Sequence, residues 1–243
     1  MIFLEDSIGR IDIGESIKEE NSIEKTEIQQ DKGNDKVLVY IIIGTVFVFI
    51  ILLSYLFLFS KPKVITIDEL HNLNLQGKLD EKQGYPYNGY SFVKFDNLWY
   101  FQAQSKKSLW DIAIRFGPKE IEHIPIEGFL NDTFLNASEI YMTFDPLGID
   151  LQFIGLAIGE MDQSLIKAFG KMPIAACDKN ETDICQTRPI ITCENTDKAV
   201  IYFKRNATMR VKGNGNCLVI QGQGLDIVKA VDRALMEMYG IIT

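Results

Sequence analysis

The sequence predicts a single transmembrane helix followed by an α+β ectodomain. That ectodomain divides into an aromatic β-hairpin subdomain and a C-terminal, mainly antiparallel α/β module. Three observations lead there. Residues 37–60 form an apolar run without a charge. Residues 85–116 hold ten aromatic side chains, many of them spaced for strands on either side of Asp96-Asn97. From residue 149 strand-like runs alternate with helix-like ones and end in an amphipathic helix.

The first 36 residues carry ten Asp or Glu and five Lys or Arg. Their isoleucines keep neither a helical nor a strand period for long, so 1–36 is expected to be an acidic, mostly disordered cytoplasmic tail. This acidity argues against nucleic acid or anionic lipid as partners, because both select basic patches.

A helix of about twenty apolar residues spans the ~30 Å hydrocarbon core of a bilayer. The run at 37–60 is longer than that and is flanked by Lys36, Lys61 and Lys63. Its many β-branched residues do not oppose a helix, since in lipid the backbone must satisfy its own hydrogen bonds. A cleaved signal peptide would have a shorter apolar core and end at small residues; Phe59-Ser60-Lys61-Pro62 has no such site. A pilin-type leader would carry an acidic residue just inside the run, and none is there. The segment therefore reads as a retained signal-anchor that meets the lipid bilayer through 37–60.

Orientation follows from what lies on each side. Lys25, Lys32 and Lys36 against Lys61 and Lys63 weakly favour the N-terminus inside. All four cysteines, Cys177, Cys185, Cys193 and Cys217, follow the run, and an even count suits an oxidising compartment. All four N-x-[ST] sequons also follow it, at Asn131, Asn136, Asn180 and Asn206, which makes these the candidate glycan acceptors. The expected protein is a single-pass cell-membrane glycoprotein with a cytoplasmic N-terminus and an extracytoplasmic C-terminal domain.

Residues 61–84 read as a polar spacer with a short element at 67–75. In the subdomain 85–147, 91–95 and 98–102 read as two strands joined by Asp96-Asn97, residues that tolerate positive φ. That register places Phe92, Lys94, Trp99 and Phe101 on one face, a candidate aromatic–lysine binding surface, with Val93, Tyr100, Phe95 and Leu98 on the other. Residues 108–116 read as a helix burying Leu109, Ile112, Ala113 and Phe116, ended by Gly117-Pro118. A further turn follows at 119–123, and a strand at 139–144.

In the module 148–243, the apolar run 149–158 reads as a strand and 161–171 as a helix. Strands are expected at 190–193, 199–203, 208–211 and 217–221, with a hairpin turn at 213–216. The last helix, about 224–239, carries Ile227, Val228, Val231, Ala234, Leu235 and Met238 as an apolar stripe. Arg233 and Glu237 fall on its opposite face.

The motifs for chemistry are sparse. Cysteine spacings of 8, 8 and 24 fit no zinc pattern and contain no C-x-x-C pair. Disulfides are the better reading; of three pairings, Cys177–Cys185 with Cys193–Cys217 is favoured. Asp111, Glu120, Glu122 and His123 could be drawn as a metal site, but a solvated helix end explains them more simply. There is no G-x-S-x-G nucleophile elbow. Gly222-Gln223-Gly224 lacks the third glycine and the Lys-Ser/Thr of a phosphate loop, and reads as a strand-to-helix turn. Asp226 and Asp232 do not share a helix face, so no acid–base pair suggests itself. Neither catalytic residues, a metal nor a cofactor is expected.

Two resemblances add to this reading. Residues 101–117, with Leu109-Trp110-Asp111-Ile112-Ala113 and Arg115-Phe116-Gly117, resemble the opening of a LysM domain, and 138–146 falls where that family has its closing strand. This implies a β-α-α-β module over 101–146 that binds N-acetylglucosamine-containing glycans, with Trp110 as a candidate contact. Lys106-Lys107 stands where the family has Gly-Asp. The stretch from Tyr85 onward, with Gly117-Pro118-Lys119-Glu120 and 217–233, resembles uncharacterised single-pass membrane proteins of small-genome archaea. That likeness implies no activity. The leading functional expectation is a non-enzymatic ectodomain for protein interaction or envelope organisation, partnered by another membrane or envelope protein. A LysM-like glycan-binding module is the alternative, and an envelope enzyme the third.

Overall fold

A computed structural model of the chain describes residues 35–59, 65–105 and 108–243. Of the expected tail 1–36, residues 1–34 lie outside the described residues, and Asp35 and Lys36 begin the first helix. The chain forms two units, divided at Lys63 and Val64.

In the first unit, α1 spans Asp35–Phe59. Its stretch Lys36–Phe57 is 22 residues long with a mean hydropathy of 3.0 and none of it buried. Among the described residues it is the one helix long and apolar enough to cross a membrane. At 1.5 Å per residue it measures about 33 Å, which matches a bilayer core.

The second unit opens with α2 (Ile67–Leu75), capped by the Thr66 side chain, which accepts from the Glu69 N–H. Leu70, His71 and Asn74 turn inward. Asn74 Nδ2 donates to Ser91 Oγ at 2.7 Å, and His71 Nδ1 lies 2.9 Å from the same oxygen. The segment expected as a spacer is therefore part of the folded unit from α2 onward.

Four antiparallel strands follow in sequential order: β1 (Gly84–Tyr87), β2 (Tyr90–Phe95), β3 (Leu98–Ser105) and β4 (Ser108–Ile114). The β2–β3 register pairs Val93 with Tyr100, Lys94 with Trp99 and Phe95 with Leu98. Asp96 and Asn97 have φ of 49° and 63°, the left-handed conformation a tight two-residue hairpin requires. Two expectations are corrected here. The hairpin is half of a four-stranded sheet, because Asn88-Gly89 makes a second tight turn at φ 45° and 84°. Residues 108–114 are a strand, not a helix: seven residues pair with β3, and Ile112 and Ile114 are buried at strand spacing. The β-α-α-β order implied for 101–146 is thus not formed.

The second sheet holds β5 (Ile126–Leu130), β6 (Glu139–Phe144), β7 (Met172–Ala175), β8 (Val200–Arg205), β9 (Arg210–Gly215) and β10 (Cys217–Gly222), in the order β5-β9-β10-β8-β6-β7. Only β9–β10 is antiparallel; the other four neighbouring pairs are parallel. The sheet is mixed and mainly parallel, which corrects the antiparallel expectation. β5 and β6 belong to it, so the second sheet begins before residue 147. Short helices α3 (Pro118–Ile121) and α4 (Asp132–Leu135) flank β5.

The apolar run at 149–158 is helical. It forms α5 (Leu151–Ser164), extended by a π-turn at Leu165–Phe169. Ile154, Ala157, Met161 and Ser164 recur every three or four residues and are buried, so packing selects helix. The expected strand at 190–193 reduces to one bridge between Cys177 and Ile190. The last helix, α6 (Leu225–Met238), falls where expected. Arg233 is buried, not solvated; it bonds Glu237 at 3.2 Å and the Ile242 carbonyl at 3.3 Å.

Helix α6 packs on β9 and β10, and α5 packs on α6 and β4. One apolar core runs through both sheets and this helix pair, from Phe92 and Phe101 through Met161 and Val231 to Ile201 and Ile220. The far face of the second sheet has a smaller core of Tyr141, Val200, Cys217, Ala176 and Ile191. Adjacent residues of β8 and β10 serve opposite cores, Ile201 and Val200, Leu218 and Cys217, as the two-residue strand period dictates.

Candidate functional site

Strands β6 and β8 are parallel neighbours, but their chains leave in opposite directions. After β6 the chain crosses to β7; after β8 it turns to β9 and β10. Such a divergence opens a crevice at the carboxyl ends of the strands, the usual ligand position in open α/β sheets. Two clefts occupy this end, separated by the loop 145–150 and by the chain at Cys177-Asp178.

The first cleft, about 350 Å³, has mostly charged lining residues and lies between the β6 and β8 ends. Several of its charged groups are paired within it. Arg205 Nε meets Asp150 Oδ2 at 3.1 Å, and the Gly224 N–H donates to the same oxygen at 3.1 Å. Lys179 meets Asp145 at 3.3 Å. The Tyr202 hydroxyl donates to Asp178 at 2.7 Å; burial and that carboxylate raise the phenol far above its ordinary range. The Gly222-Gln223-Gly224 turn thus spends an N–H on Asp150 and is a strand-to-helix turn. At Gly222 an added Cβ would come within 2.5 Å of the Ile227 backbone nitrogen, so no side chain fits.

The second cleft, about 320 Å³, is apolar. Phe144, Pro146, Leu151, Ile158 and Ile184 line it, with the Cys177–Cys185 bridge on one wall. Arg188 is its one charged lining residue and has no ion pair among the described residues. Of its lining, Leu151 and Ile184 are 40% and 64% exposed, and Leu147 and Ile149, which lie between Pro146 and Leu151 in sequence, are 61% and 75% exposed. Exposed large apolar side chains grouped around an open cleft mark an interaction surface.

The expected aromatic surface is distributed otherwise. Phe92, Trp99 and Phe101 are buried, which corrects the expectation that they reach solvent. Phe101 packs edge-on to Tyr239 at 5.0 Å, and Trp99 to Tyr85 at 5.0 Å. Trp99 Nε1–H donates to Glu120 at 3.0 Å. Lys94 remains exposed and lies 5.2 Å from the Trp99 ring centroid. Trp110 is partly exposed on β4, with Lys167 over its ring.

The cysteines form Cys177–Cys185 and Cys193–Cys217 bridges. The sequons differ in setting. Asn136 and Asn180 are exposed. Asn131 caps α4 by accepting from the Phe134 N–H at 3.2 Å, and Asn206 accepts from the Thr208 N–H at 2.9 Å. Three of the four residues weighed as metal ligands have other partners: Glu120 accepts from Gly117 N–H, Glu122 from the Tyr87 hydroxyl, and Asp111 from Gln102. Among the described residues no group of three or more His, Cys, Asp or Glu could hold a metal ion.

One cluster escaped the sequence reading. Asp232 on α6 is fully buried, and its Oδ2 accepts from the backbone N–H of Arg115 at 3.1 Å and of Phe116 at 2.9 Å. Its Oδ1 and the Oε2 of Glu160 on α5 are both buried without a donor, and the two carboxyls interact. Glu160 in turn pairs with Arg115 Nε at 2.8 Å. Burial, and then the Glu160 charge, push Asp232 well above the usual carboxylate range; burial raises Glu160 as well. These residues lie 72 positions apart in sequence, and no local spacing joins them. Comparison of the chain with protein families, with curated proteins and with solved structures finds no match.

Proposed function

We propose that the protein is a single-pass membrane protein, N-terminus cytoplasmic, whose folded unit is a non-enzymatic extracytoplasmic recognition domain. It binds another membrane or envelope protein through the apolar cleft beside the Cys177–Cys185 loop. The observation that carries this reading is the apolar lining of that cleft, in which Leu151 and Ile184 stay 40% and 64% exposed. Each such side chain gains about 1.5–3 kcal/mol when fully buried. Arg188, the cleft's only charge, selects a partner segment with an acidic group beside its apolar anchor. The two disulfides and the four sequons after the helix support the orientation.

A photo-crosslinking residue at position 149, in the full chain in its native membrane, tests the reading. The expected result is a discrete protein adduct that Ile184→Glu or Arg188→Glu abolishes while the fold persists. Labelling no stronger than from a crosslinker at the exposed position 212 would overturn it.

A further inference from the structure

We propose that Glu160 and Asp232 share a single proton and, with Arg115, form a proton-bridged clasp that fixes α5 to α6, and that loss of this proton as pH rises loosens α5.

The geometry dictates one proton. Asp232 is fully buried, and its Oδ2 already takes two backbone N–H donors from the end of β4. Its Oδ1 and the Glu160 Oε2 are both buried without a donor, and the two carboxyls interact. A carboxylate cannot donate, so one of the two groups carries the hydrogen. Two carboxyls, one proton and the Arg115 guanidinium then sum to zero charge, the state a buried site favours. The charged groups facing the pair are few. From the end of β4 comes Arg115, bonded to Glu160 at 2.8 Å. From α6, Lys229 is turned to Asp226 at 3.0 Å and lies over the Phe116 ring, and Arg233 is held by Glu237. On α5, Glu160 is the charged group that meets Asp232. Removing the proton to water leaves two negative charges in contact with one cation, and the pair repels along the α5–α6 seam.

The sign follows from proton counting. Unfolded, both carboxyls titrate near pH 4. Above that, the folded chain keeps one proton that the unfolded chain has released, so stability falls as pH rises through the pair's own titration. Neither Glu160 nor Asp232 lines the apolar cleft, so the clasp stands whether or not that cleft binds a protein. Because α5 supplies Leu151 and Ile158 to the cleft, the clasp also links proton binding to that surface.

The test uses the full chain in lipid nanodiscs. Infrared difference spectra at neutral pH should show a protonated carboxyl band that is absent from Glu160→Gln and Asp232→Asn. Each amide can donate the missing hydrogen, so each variant should fold and lose the decline with rising pH. Wild type should drop by about 3 °C or more in Tm relative to these variants between about pH 5.5 and 8.5. Wild-type and variant profiles that run parallel, with no band difference, would overturn the clasp. Should one variant fail to fold, the other decides alone, and crosslinking from position 149 separates this outcome from that of the binding surface.

Discussion

His71 ties the packing of α2 on the first sheet to pH. Its ring is buried under α2, with Nδ1 at 2.9 Å from Ser91 Oγ and Nε2 without a partner. Burial lowers its pKa, against the pull of Asp111 and Asp68. The folded state therefore binds less proton than the unfolded one just below the ordinary histidine value of about 6.5, and stability is lost as pH falls through that window. His71→Gln should flatten this acid limb, which Tm measured at pH 7.5 and 5.5 (roughly spanning that window) will show. Phe101 has a different role. It is fully enclosed between Phe92 and Tyr239. Phe101→Ala should cost about 3–5 kcal/mol, whereas Lys94→Ala, at an exposed site, should stay within about 0.5 kcal/mol; chemical denaturation checks both. The sequence places these side chains in the correct register but does not say which face is covered. The residues that cover it, Tyr239 and the Gly117 turn, arrive from far along the chain. At Gly117 an added Cβ would fall within 2.4 Å of the Tyr85 hydroxyl, so Trp99 and Tyr85 seal that side.

At the scale of elements, the disulfides hold a layer that apolar burial alone secures weakly. The core on the far face of the second sheet is small, and residues 176–199 cover it largely without regular structure. Chain-entropy reasoning assigns about 2.5 kcal/mol to a bridge closing 8 residues and about 3.5 kcal/mol to one closing 24. Replacing Cys193 and Cys217 with serine should therefore lower stability more than replacing Cys177 and Cys185. Cys217 sharpens the difference, because it is fully buried and an unpaired serine hydroxyl would sit in an apolar site. Urea midpoints of the two double variants check the order. Elements with a local signature were legible: the Asp96-Asn97 hairpin, β6, the strands near β8 to β10, and α6. Asn88-Gly89 carries an equally strong turn signal, and it joins β1 to β2. Two segments reversed. Residues 108–114 satisfy both periods over a short span, and only pairing with β3 decides. Residues 149–158 look like a buried strand until Ile154, Ala157, Met161 and Ser164 are taken as one stripe running into the next segment. The Glu160–Asp232 pair was illegible for the same reason as the shared core: its members meet only after α5 and α6 pack.

The molecule as a whole depends on α1 for its location. The Leu, Ile, Val and Phe residues of such a helix each favour insertion by about 0.3–0.6 kcal/mol near the bilayer centre, and one central Arg opposes it by about 3 kcal/mol. With a mean hydropathy of 3.0 over 22 residues, the run outweighs a single charge, while two charges bring the sum close to zero. Val46 and Ile50 lie near the middle of the span and one helical turn apart. Val46→Arg should therefore leave most of the protein resistant to alkaline carbonate extraction, and the double change Val46→Arg with Ile50→Arg should release much of it. If the helix also delivers the folded unit to an oxidising compartment, the consequences extend beyond location. In the double variant Cys193 and Cys217 should become reactive to alkylating reagents after denaturation without reductant, and any glycan at the exposed Asn180 should be lost together with insertion. A double variant that leaves the membrane yet retains both bridges would show that the disulfides form without passage through α1, and the proposed orientation would fall with that result.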